Sequence, residues 1–211
     1  MLILSHRGLW KSDSEKNSLL SFKRSFELGF GVETDVRDYL GDLVISHDIG
    51  NTDCILLSDF FDLYASYSTN LLLALNIKAD GLQSKFLSLV NKFDIGNYFV
   101  FDMAVPDMRG YLQSKTPVFT RLSEYEPHPA FLGACKGVWL DAFESEWYSA
   151  DTITFLLNQK KEIAIVSPEL HGRSHLPLWG LIKSHDFHRN ELVSICTDFP
   201  MEAKEYFYGQ D

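Results

Sequence analysis

Glu33 and Asp35 stand two residues apart in the run Gly31-Val32-Glu33-Thr34-Asp35-Val36. In a β-strand that spacing places both carboxylates on one face. Two acids pressed together repel unless a cation, a proton or a base offsets the charge. A divalent cation with oxygen ligands would do so, and magnesium, calcium or manganese suits carboxylates of this kind. His6 and His47 are candidates for a proton-transfer pair. Imidazole gives and takes protons near neutral pH, as cleavage of a phosphodiester requires. Arg7 could bind a phosphate oxygen or a neighbouring carboxylate. Lys78 could offset charge on a phosphate or pair with Asp80.

Residues with these roles need a frame that brings them to one place. Short apolar runs alternate with longer amphipathic segments along the whole chain. Strands are predicted at Leu2–Leu4, Gly31–Val36, Leu71–Ile77, Tyr98–Asp102, Val118–Thr120, Gly137–Leu140, Ile163–Val166 and Leu192–Cys196, with Asp42–Ser46 as an extension after the Gly41 turn. Helices are predicted at Ser18–Leu28, Asp59–Tyr67, Leu82–Lys92, Pro106–Ser114, Pro129–Cys135, Asp151–Lys160, Leu176–Ser184 and Met201–Tyr208. The first helix has Leu19, Leu20, Phe22 and Phe26 on its expected buried side, with the stem of Lys23. Helical crossovers return the chain to the same end of a sheet, so the strands should pair in parallel. Eight such units predict an α/β fold, a single (β/α)8 TIM-type barrel over residues 1–211, rather than an open doubly wound sheet. No Gly-x-Gly-x-x-Gly or Walker-type loop supports a nucleotide-binding alternative.

The polar residues fall where the predicted strands end. Asn76, Asp102, Thr120, Arg121, Trp139, Asp141, Glu169, His171, Arg173, Thr197 and Asp198 all sit at such ends, as do the residues introduced first. In a barrel those ends share one face, and active sites are built there. Trp139 could stack on a sugar or an apolar chain, or pack in the core. Arg173 and His171 could contact substrate or pair with nearby acids. His175, His185 and His188 read as solvated surface.

The ordered series His6-Arg7-Gly8, Lys16-Asn17-Ser18, Glu33-Thr34-Asp35, Ser46-His47-Asp48 and Asn76-Ile77-Lys78 resembles the glycerophosphodiester phosphodiesterase family, which shares a barrel with phosphatidylinositol-specific phospholipases C. The Ile195–Pro200 stretch resembles that family's last strand. The resemblance implies that His6 and His47 are catalytic. It implies that Glu33, Asp35 and Asn76 are the metal site, and that Arg7 and Lys78 bind phosphate. It also implies a divalent metal that polarises the phosphodiester. Three features depart from the pattern. Asn76 stands where the family has a glutamate, so Asp102 or Asp141 could complete the site. Lys16 replaces a second glutamate, and the stretch between His47 and the third strand is short.

With 45% hydrophobic and 14% aromatic residues, the 211-residue chain can bury one substantial core. Its formal charge of −10 argues against nucleic acid as a partner. No stretch approaches the ~20 apolar residues of a membrane span, so stable membrane insertion is not expected. Three scattered cysteines and a four-residue apolar start predict a reducing, cytoplasmic location without a leader. The expected partner is a small-molecule phosphodiester. A phosphodiesterase for another sugar or lipid headgroup, or a barrel that binds a phosphorylated ligand without turnover, is the alternative.

Overall fold

A computed structural model describes residues 1–67 and 70–209. The chain has an α/β fold of the (β/α)8 TIM-barrel class, in which eight parallel strands alternate with helices. It divides into two compact units, one of Ser5–Val118 and one of Met1–Leu4 with Phe119–Asp211.

The first unit holds the end of β1 (Leu2–His6), then α1 (Leu19–Glu27), β2 (Gly31–Tyr39), β3 (Asp42–Ile45), α2 (Leu57–Ser66), β4 (Leu73–Ile77), α3 (Gln83–Lys92), β5 (Tyr98–Phe101) and α4 (Val105–Gln113). The strands run in the order β5-β4-β2-β1. β2 and β4 pair in parallel, with Asp35 opposite Asn76 and Val36 opposite Ile77. The predicted extension is β3, an antiparallel partner folded back on β2. Val32, Val36, Leu73 and Leu75 are fully buried. Each contributes roughly 1.5–3 kcal/mol by leaving water, and together they hold β2 and β4 in one register. That register is what places Glu33, Asp35 and Asn76.

α1 opens with a capping box between Ser18 and Ser21. Its buried face is Ser21, Phe22, Ser25 and Phe26, and Leu19 and Leu20 are exposed at 37% and 49%. The expected apolar face was therefore half correct. The two phenylalanines pack as predicted, Phe22 edge-on to Phe60 at 4.7 Å. The serines fill the rest because the chain after β1 lies directly on them. Leu9 N donates to Ser21 O and to Ser25 Oγ, and the Ser5 hydroxyl lies 2.7 Å from that of Ser25. A leucine there would displace that backbone.

The second unit carries β6 (Phe119–Leu122), β7 (Gly137–Leu140), α5 (Ala150–Asn158), β8 (Glu162–Val166), α6 (Leu176–Ser184), β9 (Val193–Thr197) and α7 (Pro200–Tyr208). Its strands run in the order β9-β8-β7-β6, and the start of β1 adjoins β9. The helix expected at Pro129–Cys135 is absent. Phe131 has a left-handed φ of 53°, and Ala134 N and Cys135 N both return to its carbonyl, so the segment is a turn. A non-glycine residue in that conformation ends a helix before it can propagate. His188 is buried at 4% exposure and stacks on Phe207, so its expected place at the surface is corrected.

Candidate active site

His6, Glu33, Asp35, Asn76 and Lys78 meet at the carboxyl ends of β1, β2 and β4, all within the first unit. The turn after β1 sets the first of them. Arg7 and Gly8 both have positive φ, 56° and 85°. A Cβ on Gly8 would meet the backbone carbon of Ser21 at 2.8 Å. Only glycine fits there. The turn is tied down by Arg7 N to Glu33 O at 2.8 Å and by Trp10 Nε1 to His6 O at 3.1 Å.

Glu33 and Asp35 lie on one face of β2, with 2% and 1% of their surface exposed. Burying two carboxylates costs several kcal/mol each unless they are matched. Asp35 is matched. Its Oδ2 accepts from Asn17 Nδ2 at 2.8 Å and lies 3.2 Å from Arg7 Nε. Its Oδ1 lies 3.4 Å from Lys78 Nζ. The Arg7 contact is one of charge, because Arg7 Nε makes no hydrogen bond among the described residues. Glu33 is matched less well. Its Oε2 is buried without a hydrogen bond among the described residues and lies 3.9 Å from His6 Nε2. Burial, and then the neighbouring Asp35 charge, push the Glu33 carboxyl up to about 7, against the pull of His6, Arg7 and Lys78.

Asn76 lies across from Asp35, and its Oδ1 is also buried without a hydrogen-bond partner among the described residues. Lys78 lies between Asp35 and Asp102, at 3.4 and 3.8 Å, rather than against Asp80. Asp102 has a positive φ of 71° at the end of β5. Three non-glycine residues at this end, Arg7, Asn17 and Asp102, thus hold the left-handed backbone that clusters at functional sites.

His47 follows β3. Ser46 N donates to Asp35 O at 3.1 Å, which ties the histidine segment to β2. The His47 Nδ1 pairs with Asp48 Oδ1 at 2.9 Å, holding the Asp48 carboxyl below its ordinary range. The ring is about half exposed, at 49%. It lines a cavity of about 420 Å³ that also meets Arg7, Lys16, Asn17, Ser18 and Asn51. Arg7 belongs both to this cavity and to the Asp35 cluster, which connects the two.

The donor set suits a hard cation. Two buried oxygens without hydrogen bonds, on Glu33 and Asn76, stand beside the Asp35 carboxylate, and all three are oxygen ligands of the kind magnesium, calcium and manganese take. Among the described residues no group of three His, Cys, Asp or Glu is placed to hold a metal; the further oxygen beside Glu33 and Asp35 is the Asn76 amide. Asp141 belongs to the second unit, where its Oδ1 meets His171 Nε2 and Ala142 N, both at 2.8 Å.

Trp139 and Arg173 also lie in the second unit. Trp139 is buried on β7 at 5% exposure, and Arg173 donates through Nη2 to Ala142 O. His171 pairs with Asp141, the loop pairing that was one of its two expected roles. Asn17 is the residue that sequence reasoning passed over. It sat within the Lys16-Asn17-Ser18 match without a role, and its left-handed φ and contact with Asp35 give it one.

No family model matches the chain, and no curated protein matches it in sequence. Solved structures do match. A glycerophosphodiester phosphodiesterase from Agrobacterium tumefaciens superposes with a TM-score of 0.71 at 13% identity, covering 95% of this chain and 97% of that one. A glycerophosphoryl diester phosphodiesterase from Parabacteroides distasonis gives a TM-score of 0.68 at 13% identity, covering 99% of this chain and 86% of that one. The chain has the fold of these glycerophosphodiester phosphodiesterases over nearly its whole length.

Proposed function

We propose that this protein is a metal-dependent phosphoric diester hydrolase whose substrate is a small glycerophosphodiester. The observation that carries the reading is the pair of buried oxygens on Glu33 and Asn76, without hydrogen bonds, beside His6 and the Asp35–Arg7–Lys78 cluster. A buried polar atom without a hydrogen bond calls for another partner, and a cation is one. The fold shared with two solved glycerophosphodiester phosphodiesterases supports it.

In this reading Glu33, Asp35 and Asn76 hold a divalent ion. Bound there, the ion supplies Lewis-acid polarisation of the phosphodiester. The residues of the chain do the rest. Arg7 and Lys78 bring positive charge against the phosphate oxygens and are held in place by Asp35. His6 and His47 exchange protons with the attacking and leaving oxygens. Asp48 on Nδ1 of His47 fixes the orientation of the ring. The cavity beside His47 and Arg7 takes the alcohol portion of the substrate.

The net charge of −10 supports a small molecule rather than nucleic acid as partner. No helix among the described residues is long and apolar enough to cross a membrane. Cys54, Cys135 and Cys196 form no disulfide among the described residues, and a reducing, cytoplasmic location is proposed.

The test is turnover of a panel of glycerophosphodiesters and other sugar and lipid phosphodiesters, with magnesium, calcium or manganese and with a chelator. Metal-dependent release of an alcohol from a glycerophosphodiester supports the reading. Preference for a different headgroup would move the substrate class. Tight binding of the panel without turnover would mark a phosphate-ligand-binding barrel and overturn the enzymatic reading.

A further inference from the structure

Asn17 joins three parts of the site through three groups. Its backbone N–H donates to Arg7 O at 3.0 Å. Its side-chain Nδ2 donates to Asp35 Oδ2 at 2.8 Å, and its Oδ1 accepts from the Thr34 hydroxyl at 2.8 Å. Its backbone holds a left-handed φ of 57°. One residue thus ties the turn after β1 to two consecutive residues of β2. It also lines the cavity shared by Arg7 and His47.

The chemistry selects asparagine. A left-handed φ strains most residues, and asparagine is among the few side chains that tolerate it. Glycine would accept the backbone but bring no donor to Asp35. Aspartate would accept the backbone but set a second carboxylate against the first. The sense of the amide is fixed from both sides. A flipped amide would point Oδ1 at the Asp35 carboxylate, where lone pairs meet charge. Thr34, fully buried, supplies a hydroxyl donor to the other end.

Asp35 shows what this arrangement is for. Its Oδ1 faces the charge of Lys78 at 3.4 Å, whereas its Oδ2 takes the Asn17 hydrogen bond and the Arg7 charge. Without Asn17 the carboxylate could rotate about its terminal torsion, which is broad, and pair with Arg7 and Lys78 alone. With Asn17, each oxygen has a fixed direction. We propose that Asn17 is a positioning residue that orients the Asp35 carboxylate, so that Asp35 can serve a divalent ion while Arg7 and Lys78 remain held beside it. The inference rests on the proposed metal-dependent hydrolase reading. Asn17 acts through Asp35 and need not touch the substrate.

The experiment compares wild type with Asn17→Gly, which keeps the backbone conformation and removes the side chain. Manganese is titrated by calorimetry, glycerophosphodiester turnover is measured at saturating manganese, and the folded fraction is followed by circular dichroism. Expected for Asn17→Gly is a manganese affinity at least tenfold weaker and a kcat at least tenfold lower, with the folded fraction unchanged. Thr34→Val is the second variant. It leaves Asn17 in place but removes the donor that sets the amide, and should weaken manganese binding about threefold or more. This variant keeps the inference testable should Asn17→Gly fail to fold. Wild-type manganese affinity in a folded Asn17→Gly, or in Thr34→Val where that variant alone folds, overturns the positioning role while leaving the hydrolase reading intact. Losses that only follow the unfolded fraction overturn it too. A wild type that neither binds manganese nor turns over overturns the hydrolase reading and this inference with it.

Discussion

The Nε2 of His6 stands 3.9 Å from the buried Oε2 of Glu33, where a protonated ring would offset charge on that oxygen. Burial and Asp35 hold the Glu33 carboxyl up to about 7, against an ordinary 4.5. Between those values the folded chain binds a proton that the unfolded chain has lost. Stability of the metal-free protein should therefore fall as pH rises from about 4.5 to about 7, and be flat with respect to this group above that. The effect is bounded at roughly 3 kcal/mol. Urea unfolding in chelator at pH 5 and pH 8 measures it. Glu33→Gln should remove this pH dependence, and an unchanged profile in that variant would assign it elsewhere.

His6→Ala and His47→Ala should each lower kcat by at least ~10², the scale of a lost general acid or base. The fold should survive both, since His47 is half exposed and His6 is the last residue of β1, with its side chain 16% exposed. Kinetics near those of wild type in either variant would remove that histidine from the mechanism.

Asn76→Glu should act oppositely with and without metal. A third carboxylate beside Asp35, at a site only 7% exposed, should lower the melting temperature in chelator. With magnesium, calcium or manganese the same charge attracts the ion more strongly. The variant should then gain more in melting temperature from added metal than wild type does. Equal gains would place Asn76 outside the ligand set. Faster catalysis is not expected, because the added charge also repels the phosphate.

Gly8→Ala should destabilise the fold by more than ~2 kcal/mol, combining a left-handed φ of 85° with a clash against Ser21. Removing the serine hydroxyl in a Gly8→Ala, Ser21→Ala double variant should restore little. The clash includes the Ser21 backbone carbon at 2.8 Å, which cannot rotate away. Full recovery of the melting temperature in the double variant would show that the hydroxyl alone was the obstacle.

Strand and helix periods are local, and the sequence by itself determined the features that depend on them. The eight strand positions were legible from apolar runs, because strands buried on both faces read as continuous hydrophobic segments. Glu33 and Asp35 were placed on one face by the two-residue period alone. Asn76 and Lys78 were located at the end of the third strand for the same reason. Only the tertiary structure decided which of these groups found partners. Asn17 reaches Asp35 across 18 residues, and that depends on a left-handed backbone that spacing does not reveal. Lys78 meets Asp35 and Asp102 instead of Asp80, since parallel pairing brings β2, β4 and β5 side by side whereas the chain beyond Lys78 turns away. The serine face of α1 and the buried His188 were set by what packs against them. The turn at Pro129–Cys135 came from one residue, Phe131, whose φ no hydrophobic pattern encodes. A pattern reports what each residue prefers on its own element; contacts between elements decide which of those preferences are met.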